Sequence, residues 1–181
     1  GDDGAAPEDL LALLSRLNIC SGEAKARQYD HEVKGLSVVK PYQGIGNDFI
    51  LIDNTGSSEL LVSSEQARRY CNRNYGVGAD GLILCCLASN NGCDYTMRLY
   101  NADGSEPEMC GNGIRCMTGF IHEVLEQAPT GTEKTYHIHT LAGEIIPVVK
   151  VDGRIVVDMG VPILEAQHVP CHLTATQQLK E

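Results

Sequence analysis

The stretch NADGSEPEMCGNGIRC, residues Asn101 to Cys116, joins a strand-like segment to a helix-like one. The segment before it, Asp94 to Tyr100, has the composition of a strand, and from Cys110 to about Gln127 apolar residues recur at helical spacing. Pro129 and Gly131 end the helical pattern. We therefore predict a strand, a Gly-rich turn and a helix that begins at Cys110 and packs against a sheet.

Strand-like segments flank this junction on both sides. A short helix interrupts them, with Ser64 as its cap and the polar run Asn72 to Asn74 at its end. The predicted fold class is α+β, a strand-rich sheet wrapped around the helix that begins at Cys110. We predict strands over Leu36 to Val39, Asp48 to Asn54, Gly81 to Leu87, Asp94 to Tyr100, Thr135 to Thr140, Glu144 to Val151 and Arg154 to Asp158.

Three regions of the chain differ in composition. Residues 1–39 form an acidic extension with one short amphipathic helix in Pro7 to Leu17, where leucines recur at helical spacing. The apolar stripe of that helix rests either on the body of the chain or on a protein partner. Residues 40–158 form the predicted domain. Residues 159–181 lose periodicity, as the start of a second domain or a tail would.

Charge and composition argue against several classes of function. The 181 residues carry a net charge of −10, which repels the phosphate backbone of nucleic acids. No apolar stretch approaches the roughly 20 residues of a membrane-spanning helix. The eight cysteines include no CxxC pair, so a reducing compartment without a zinc site is the simpler interpretation. His137 and His139 alternate along one strand, but a surface face with two histidines is commoner than a metal site. We therefore predict no metal.

Cys110 lies where a proton-transferring thiol could act. At a helix start its sulfur would face free backbone N–H groups and the positive end of the helix dipole, and both favour the thiolate. Gly111 lets a ligand approach the backbone, and the N–H groups of Gly111 and Asn112 could hold a carboxylate. The alternative is an ordinary buried cysteine in a Gly-rich turn. Arg115 either anchors this turn or points to solvent.

Three long motifs occur together in the chain. They are NADGSEPEMCGNGIRC, YQGIGNDFILIDN (Tyr42 to Asn54) and NRNYGVGADGLIL (Asn72 to Leu84). In this order they resemble the diaminopimelate epimerases, most closely the plant and cyanobacterial members, from about Val39 to Pro162. The resemblance implies one half of a two-domain fold. It also implies a plastid location.

The resemblance implies roles for individual residues. Cys110 matches the first catalytic cysteine of the family, and four positions match residues that bind the substrate: Asn47, Asn101, Gly111 and Asn112. Gly81 stands where some relatives carry a substrate-binding Gln, so that contact is in doubt. For Asn47 the alternative is a plain turn-forming residue.

The implied reaction interconverts LL- and meso-diaminopimelate in lysine biosynthesis. A thiolate on one face of this small amino acid removes the Cα proton, and a thiol on the opposite face returns one. The family uses no cofactor for this step, neither pyridoxal phosphate nor a metal. Its two domains clamp together, and each contributes one cysteine.

The chain departs from the family pattern in one respect. The Gly/Thr-rich motif around the second cysteine does not occur in these 181 residues, and Cys171, in HVPCHLT, does not resemble it. Three explanations remain: the chain is a fragment of an enzyme, the other half is a separate chain, or a half-length relative serves as a structural subunit of a larger, plastid assembly. In the last case residues 1–39 would bind the partner.

Overall fold

The computed structural model describes residues 39–88, 92–162 and 164. The predicted amphipathic helix, Pro7 to Leu17, and Cys171 lie outside the described residues. The predicted extension, residues 1–39, is described only at Val39, and the predicted second-domain start or tail, residues 159–181, only at residues 159–162 and 164. The described elements are, in order, β1 (Val39–Gly44), β2 (Asn47–Asp53), α1 (Ser64–Cys71), β3 (Gly81–Leu87), β4 (Tyr95–Asn101), α2 (Gly111–Phe120) with a π-helical continuation (Ile121–Leu125), β5 (Lys134–Thr135), β6 (Ile138–Thr140), β7 (Gly143–Ile145), β8 (Val148–Val149) and β9 (Ile155–Val156).

Two sheets enclose α2. The larger has six strands in the order β1-β2-β3-β4-β6-β7, and the smaller has the order β5-β8-β9. The larger sheet is mixed, because β2 pairs parallel with β3 and β4 pairs parallel with β6 while its other pairs are antiparallel. Gly119, near the end of α2, lies between Tyr42 of β1 and Ile155 of β9. The predicted α+β class, with sheet wrapped around this helix, is confirmed.

The two faces of the larger sheet bury different cores, because side chains alternate along each strand. Odd-numbered residues of β2, β3 and β4 pack against α2, and even-numbered ones pack against α1. Leu51 and Ile83 on the first face and Leu82 and Leu84 on the second are fully buried. This continuous apolar composition explains why the strands were recognisable in the sequence. A strand covered on both faces reads as a hydrophobic run.

The cap of α1 differs from the predicted one. Ser63, not Ser64, is the N-cap, because its side chain accepts a hydrogen bond from the backbone N–H of Gln66 while Gln66 Oε1 accepts from the backbone N–H of Ser63 at 2.8 Å. This reciprocal pair is a capping box. Ser64 is the first residue within the helix.

The predicted strands over Thr135 to Thr140 and Glu144 to Val151 are each broken in two. β5 and β8 pair in the smaller sheet, whereas β6 and β7 pair in the larger one. The chain changes sheet at Tyr136 and Pro147, whose backbone N–H and carbonyl are joined by a 3.0 Å hydrogen bond. The hairpin thus turns a corner, because one flat ribbon cannot pair with both sheets around the helix.

At the first strand and the last the bounds also differ from the prediction. β1 begins at Val39 and continues to Gly44, beyond the predicted end. β9 is limited to Ile155–Val156 within the predicted Arg154 to Asp158. Among the described residues, no helix is long and apolar enough to cross a bilayer.

Candidate functional site

Cys110 is the N-cap of α2. Its backbone is extended, its carbonyl accepts from Ile114 N–H at 2.8 Å, and its Sγ accepts from Gly113 N–H at 3.4 Å. The side chain is half-buried at the edge of the core between α2 and the larger sheet. The expected position of this cysteine at a helix start is therefore confirmed, and a backbone donor faces its sulfur.

The first turn of α2 leaves two backbone donors unused. Within the described part of the chain, the N–H groups of Gly111 and Asn112 donate to no protein acceptor. This is expected of the first residues of a helix, which have no preceding turn to accept from them. Beside Gly111 lies Met159, since a Cβ added at Gly111 would lie 3.3 Å from Met159 Cε. The segment after β9 therefore passes next to Cys110.

Close packing holds this turn against the sheet. A Cβ added at Gly44, the last residue of β1, would lie 3.0 Å from both the Asn112 carbonyl oxygen and Cys116 Sγ. A Cβ at Gly113 would lie 3.2 Å from Ile83 Cδ1. Both distances are tighter than ordinary contact, so a Cβ at Gly44 would press on the backbone of α2, and one at Gly113 would require the end of the Ile83 side chain to shift.

Four side chains at this end of α2 form a continuous series of hydrogen bonds, which we call the amide relay. Asn47 Nδ2 donates to Asp80 Oδ2 at 3.1 Å, and Asn112 Nδ2 donates to Asn47 Oδ1 at 2.7 Å. Arg115 donates to Asn112 Oδ1. The relay joins the start of β2, the residue before β3 and the first turns of α2. Arg115 therefore anchors the turn, which decides between the two alternatives left open by the sequence.

A salt-bridge network supports the acidic end of the relay. Arg73 donates to Asp80 Oδ1 at 2.8 Å and to both carboxylate oxygens of Asp48, at 2.6 and 3.0 Å. Asp48 N–H donates to Asp80 Oδ2 at 3.1 Å. The hydrogen bond from Asn47 and these further donors lower the pKa of Asp80 below its usual value. The carboxyl is thus held as an acceptor.

Asn101 lies at the same edge of the sheet but has different partners. In the register of the sheet Phe49, Gly81 and Asn101 are neighbours, so Asn47 and Asn101 share this edge. Asn101 Nδ2 donates to Ser105 Oγ at 2.9 Å, and Ser105 Oγ donates to Asp103 at 2.5 Å. Among the residues described, Asn101 shares no hydrogen bond with the amide relay or with Cys110.

Gly81 is required by the spacing of the strands. A Cβ at this position would lie 2.7 Å from the backbone carbonyl oxygen of Tyr100 and 3.2 Å from the ring of Phe49. Carbon and oxygen do not approach so closely without moving one of the strands. A Gln side chain, which the resemblance suggested as an alternative at this position, would therefore not fit this backbone.

The loop before Cys110 is tied down at several points. Arg98 and Glu106 form a two-pronged ion pair, with Nη2 2.9 Å from Oε2. The Glu108 carbonyl accepts from Ala142 N–H at 3.2 Å, and Ala102 N–H donates to the carbonyl of Asp80 at 3.0 Å.

The sequence did not predict the roles of Asp80 and Arg73, although both lie in the motif NRNYGVGADGLIL. A charged residue inside a Gly-rich motif was the available signal.

The other described cysteines differ from Cys110 in their surroundings. All six described cysteines are free thiols. Burial raises the pKa of Cys71 to about 12 and that of Cys116 to about 11. Cys85 is fully buried, and burial raises its pKa also. Cys86 is only partly buried, with a pKa raised to about 11 by burial. These thiols stay protonated near neutral pH.

The two histidines that alternate along the predicted strand lie on β6 or directly before it. His137 Nδ1 lies 2.7 Å from Glu144 Oε1, and its backbone N–H donates to Asp94 at 2.8 Å. His139 lies opposite Glu144 in the β6–β7 register. In the described ranges no three His, Cys, Asp or Glu side chains are grouped so as to hold a metal ion.

A surface groove lies on the other face of the larger sheet. The start of α1, Tyr100 and Glu106 line it. Tyr100 belongs to the core on the α1 side, whereas Cys110 packs with the core on the α2 side. The sheet separates the groove from the candidate site.

Comparison with known proteins shows the family to which the chain belongs. The sequence profile of a family described as "Diaminopimelate epimerase" matches residues 39–165. The chain is thus a member of a family of epimerases. That family is the diaminopimelate epimerase family, and the chain belongs to it, as its three motifs predicted.

Individual relatives give the extent of the match. The chain is 53% identical to "Diaminopimelate epimerase" of Acaryochloris marina over 132 residues. These aligned residues make up 73% of this chain and 46% of the relative. It is 51% identical to "Diaminopimelate epimerase, chloroplastic" of Oryza sativa subsp. japonica over 144 residues. That alignment covers 80% of this chain and 39% of the relative. The chain thus spans less than half the length of these curated relatives.

Solved structures match at lower similarity. A hydroxyproline epimerase from Agrobacterium vitis matches 62% of this chain and 36% of its own, with a TM-score of 0.49 and 14% identity. A methylitaconate-delta-isomerase matches 70% of this chain and 66% of its own, with a TM-score of 0.45 and 15% identity. The family membership rests on the sequence match.

Proposed function

We propose that this chain is the half of a diaminopimelate epimerase that supplies one of its two proton-transferring thiols, Cys110. The observation that carries the proposal is the position of Cys110 at the start of α2, with Gly113 N–H directed at its sulfur. Helix starts and backbone donors are the surroundings in which cysteine acts as a base. The side chain of Cys110 is partly exposed, whereas Cys71, Cys85 and Cys116 are buried.

In the proposed reaction the Cys110 thiolate takes the Cα proton from one face of the amino acid. The S–H bond forms as the C–H bond breaks, and the electron pair stays on the substrate as a carbanion stabilised by its carboxylate. The unused N–H groups of Gly111 and Asn112 are the proposed donors to that carboxylate. A second thiol then gives a proton to the opposite face and inverts the centre.

Asn47, Asn101 and Asn112 are the proposed side-chain contacts of the substrate. Asn47 and Asn112 are already joined at 2.7 Å beside Cys110, which supports a shared role. Asn101 stands at the same sheet edge, where its Nδ2 is occupied by Ser105 and its Oδ1 is left for a ligand. Each of these amides can both donate and accept, as recognition of an ammonium and a carboxylate requires.

The second thiol has to come from outside the matched region, because the chain corresponds to less than half of its curated relatives. The substrate is proposed to be diaminopimelate, interconverted between its LL and meso forms, and the proposed setting is the plastid. Support for both comes from the names of the relatives, which include a chloroplastic rice protein. On this proposal the 181 residues alone do not invert the substrate.

The alternative function is that of a structural subunit. In the segment after β9 Val161 is 90% and Leu164 is 80% exposed. Either a protein partner or a second domain of an enzyme could cover these side chains, so activity decides between the two functions.

The test is a chimera in which residues 39–165 replace the matched region of the Acaryochloris marina relative. We expect it to incorporate deuterium at Cα of LL-diaminopimelate in D2O and to form the meso isomer, both followed by NMR. Cys110→Ala should abolish incorporation, whereas Cys93→Ala, a change at a partly buried thiol beside Glu144, should not. A folded chimera without incorporation would exclude the enzymatic function.

A further inference from the structure

The amide relay has different chemistry at its two ends. Asp80, as a carboxylate, can only accept hydrogen bonds, and Arg115 can only donate them. The two asparagine amides between them can each donate and accept hydrogen bonds. Rotating the amide group of an Asn side chain by about 180° exchanges its oxygen and nitrogen with almost no change of shape. The ends therefore decide the orientation of Asn47 and Asn112.

One orientation satisfies every group. With Nδ2 of Asn47 donating to Asp80, its Oδ1 is left to accept from Asn112 Nδ2 at 2.7 Å. Asn112 Oδ1 is then left to accept from Arg115. Turning either amide would place two donors or two acceptors opposite each other, and such unsatisfied contacts are costly.

Asp80 itself is held firmly. Arg73 and the backbone N–H of Asp48 donate to its two oxygens at 2.8 and 3.1 Å. The two oxygens therefore keep their places, and Oδ2 remains turned toward Asn47. Arg73 is in turn held by both oxygens of Asp48. The acceptor end of the relay is thus built from three charged groups.

We propose that Asp80 is a positioning residue that acts through the amide relay to orient the side chains of Asn47 and Asn112 beside Cys110. This inference rests on the proposed function, since it assigns those amides to a ligand site. In the observed orientation each amide keeps one unused N–H and one unused oxygen lone pair. Asp80 thereby decides where a ligand meets a donor and where it meets an acceptor.

The orientation is measured in the 181-residue protein without any substrate. With 15N-labelled asparagine, Asn47 and Asn112 should each give one pair of side-chain amide resonances. In the double variant Asp80→Asn/Arg115→Gln both ends of the relay become amides that can donate and accept, so both orientations of Asn47 and Asn112 become populated. We expect two sets of resonances or exchange broadening at Asn47 and Asn112. Asp152→Asn, a surface change beside Arg154, should leave both unchanged.

The single variant Arg115→Gln isolates the effect of Asp80, because the acceptor-only end alone then orients both amides. We expect Arg115→Gln to keep one set of resonances for Asn47 and Asn112. Two sets in Arg115→Gln, or single, unshifted resonances for both amides in the folded double variant, would overturn the inference. Neither result depends on activity.

The effect on the reaction is measured in the chimera. Misplacing a substrate-binding group by about 1 Å can cost on the order of 100-fold in rate, and we expect Asp80→Asn to lower kcat/KM at least tenfold when it is added to Arg115→Gln. Asp152→Asn added to Arg115→Gln should leave kcat/KM unchanged. An unchanged kcat/KM on addition of Asp80→Asn would overturn the positioning role, whereas an inactive parent chimera would overturn the proposed function and leave the resonance measurements standing.

Discussion

Asn112 Nδ2 lies 2.7 Å from Asn47 Oδ1, although 65 positions separate the two residues in the chain. Asn47 is the first residue of β2, directly after the β1–β2 turn, and Asn112 lies in the first turn of α2. Their hydrogen bond brings two of the motifs to a single place beside Cys110. Asp80, from the remaining motif, accepts a hydrogen bond from Asn47 there.

The thiols should differ in their rates of alkylation. At neutral pH Cys110 should react with iodoacetamide at least about tenfold faster than Cys71, Cys85 or Cys116, because those three are buried and their raised pKa values keep them protonated. Peptide mass spectrometry after timed quenching measures each site. Faster labelling of Cys116 than of Cys110 would contradict the arrangement.

Substitution of Gly81 should destabilise the sheet. A Cβ there would lie 2.7 Å from the Tyr100 carbonyl oxygen, so Gly81→Ala should lower the free energy of unfolding by about 1–3 kcal/mol. Gly56→Ala is the matched control, since a Cβ at Gly56 would contact nothing within 4 Å. Urea unfolding of both variants measures the difference. Equal stabilities would show that the strands adjust freely.

The cap of α1 should be sensitive to one serine and not to its neighbour. Ser63→Ala removes the acceptor for Gln66 N–H and should cost about 1 kcal/mol of unfolding free energy. Ser64→Ala should have a smaller effect, because Ser64 is within the helix and is not its cap. Thermal unfolding compares the two. A larger loss from Ser64→Ala would restore the cap that the sequence predicted.

The stabilising effect of Asp80 should depend on pH. Its pKa is lowered in the folded chain by the hydrogen bond from Asn47, by Asp48 N–H and by Arg73. A lowered folded pKa means that the stabilisation is present above the unfolded carboxyl pKa of about 3.9 and is lost as the pH falls through the folded value. The stability difference between the parent and Asp80→Asn should therefore be constant from pH 7 to 5 and shrink below about pH 4.

Urea unfolding at a series of pH values measures that difference. Comparison with the Asn variant removes the contribution of the other carboxyl groups, which titrate in both proteins. A difference that stays constant down to pH 2.5 would show that the folded pKa of Asp80 is not what stabilises the relay.

Much of the fold was predictable from the sequence. The β2, β3 and β4 strands were recognisable because they are covered on both faces and read as apolar runs, and α2 because its apolar residues recur at helical spacing. The breaks at Tyr136 and Pro147 were not predictable, since they arise from pairing with two different sheets. Local residue patterns do not carry that choice.

The sequence by itself determined the family, the start of a helix at Cys110 and the set of candidate polar residues, because these depend on motifs and on local periodicity. Only the tertiary structure decided that Asn47, Asp80, Asn112 and Arg115 act as one hydrogen-bonded series and that position 81 has no room for a side chain. Hydrogen-bond direction and strand spacing are properties of groups distant in the chain. They exist only once the sheet has brought those groups within about 3 Å of each other.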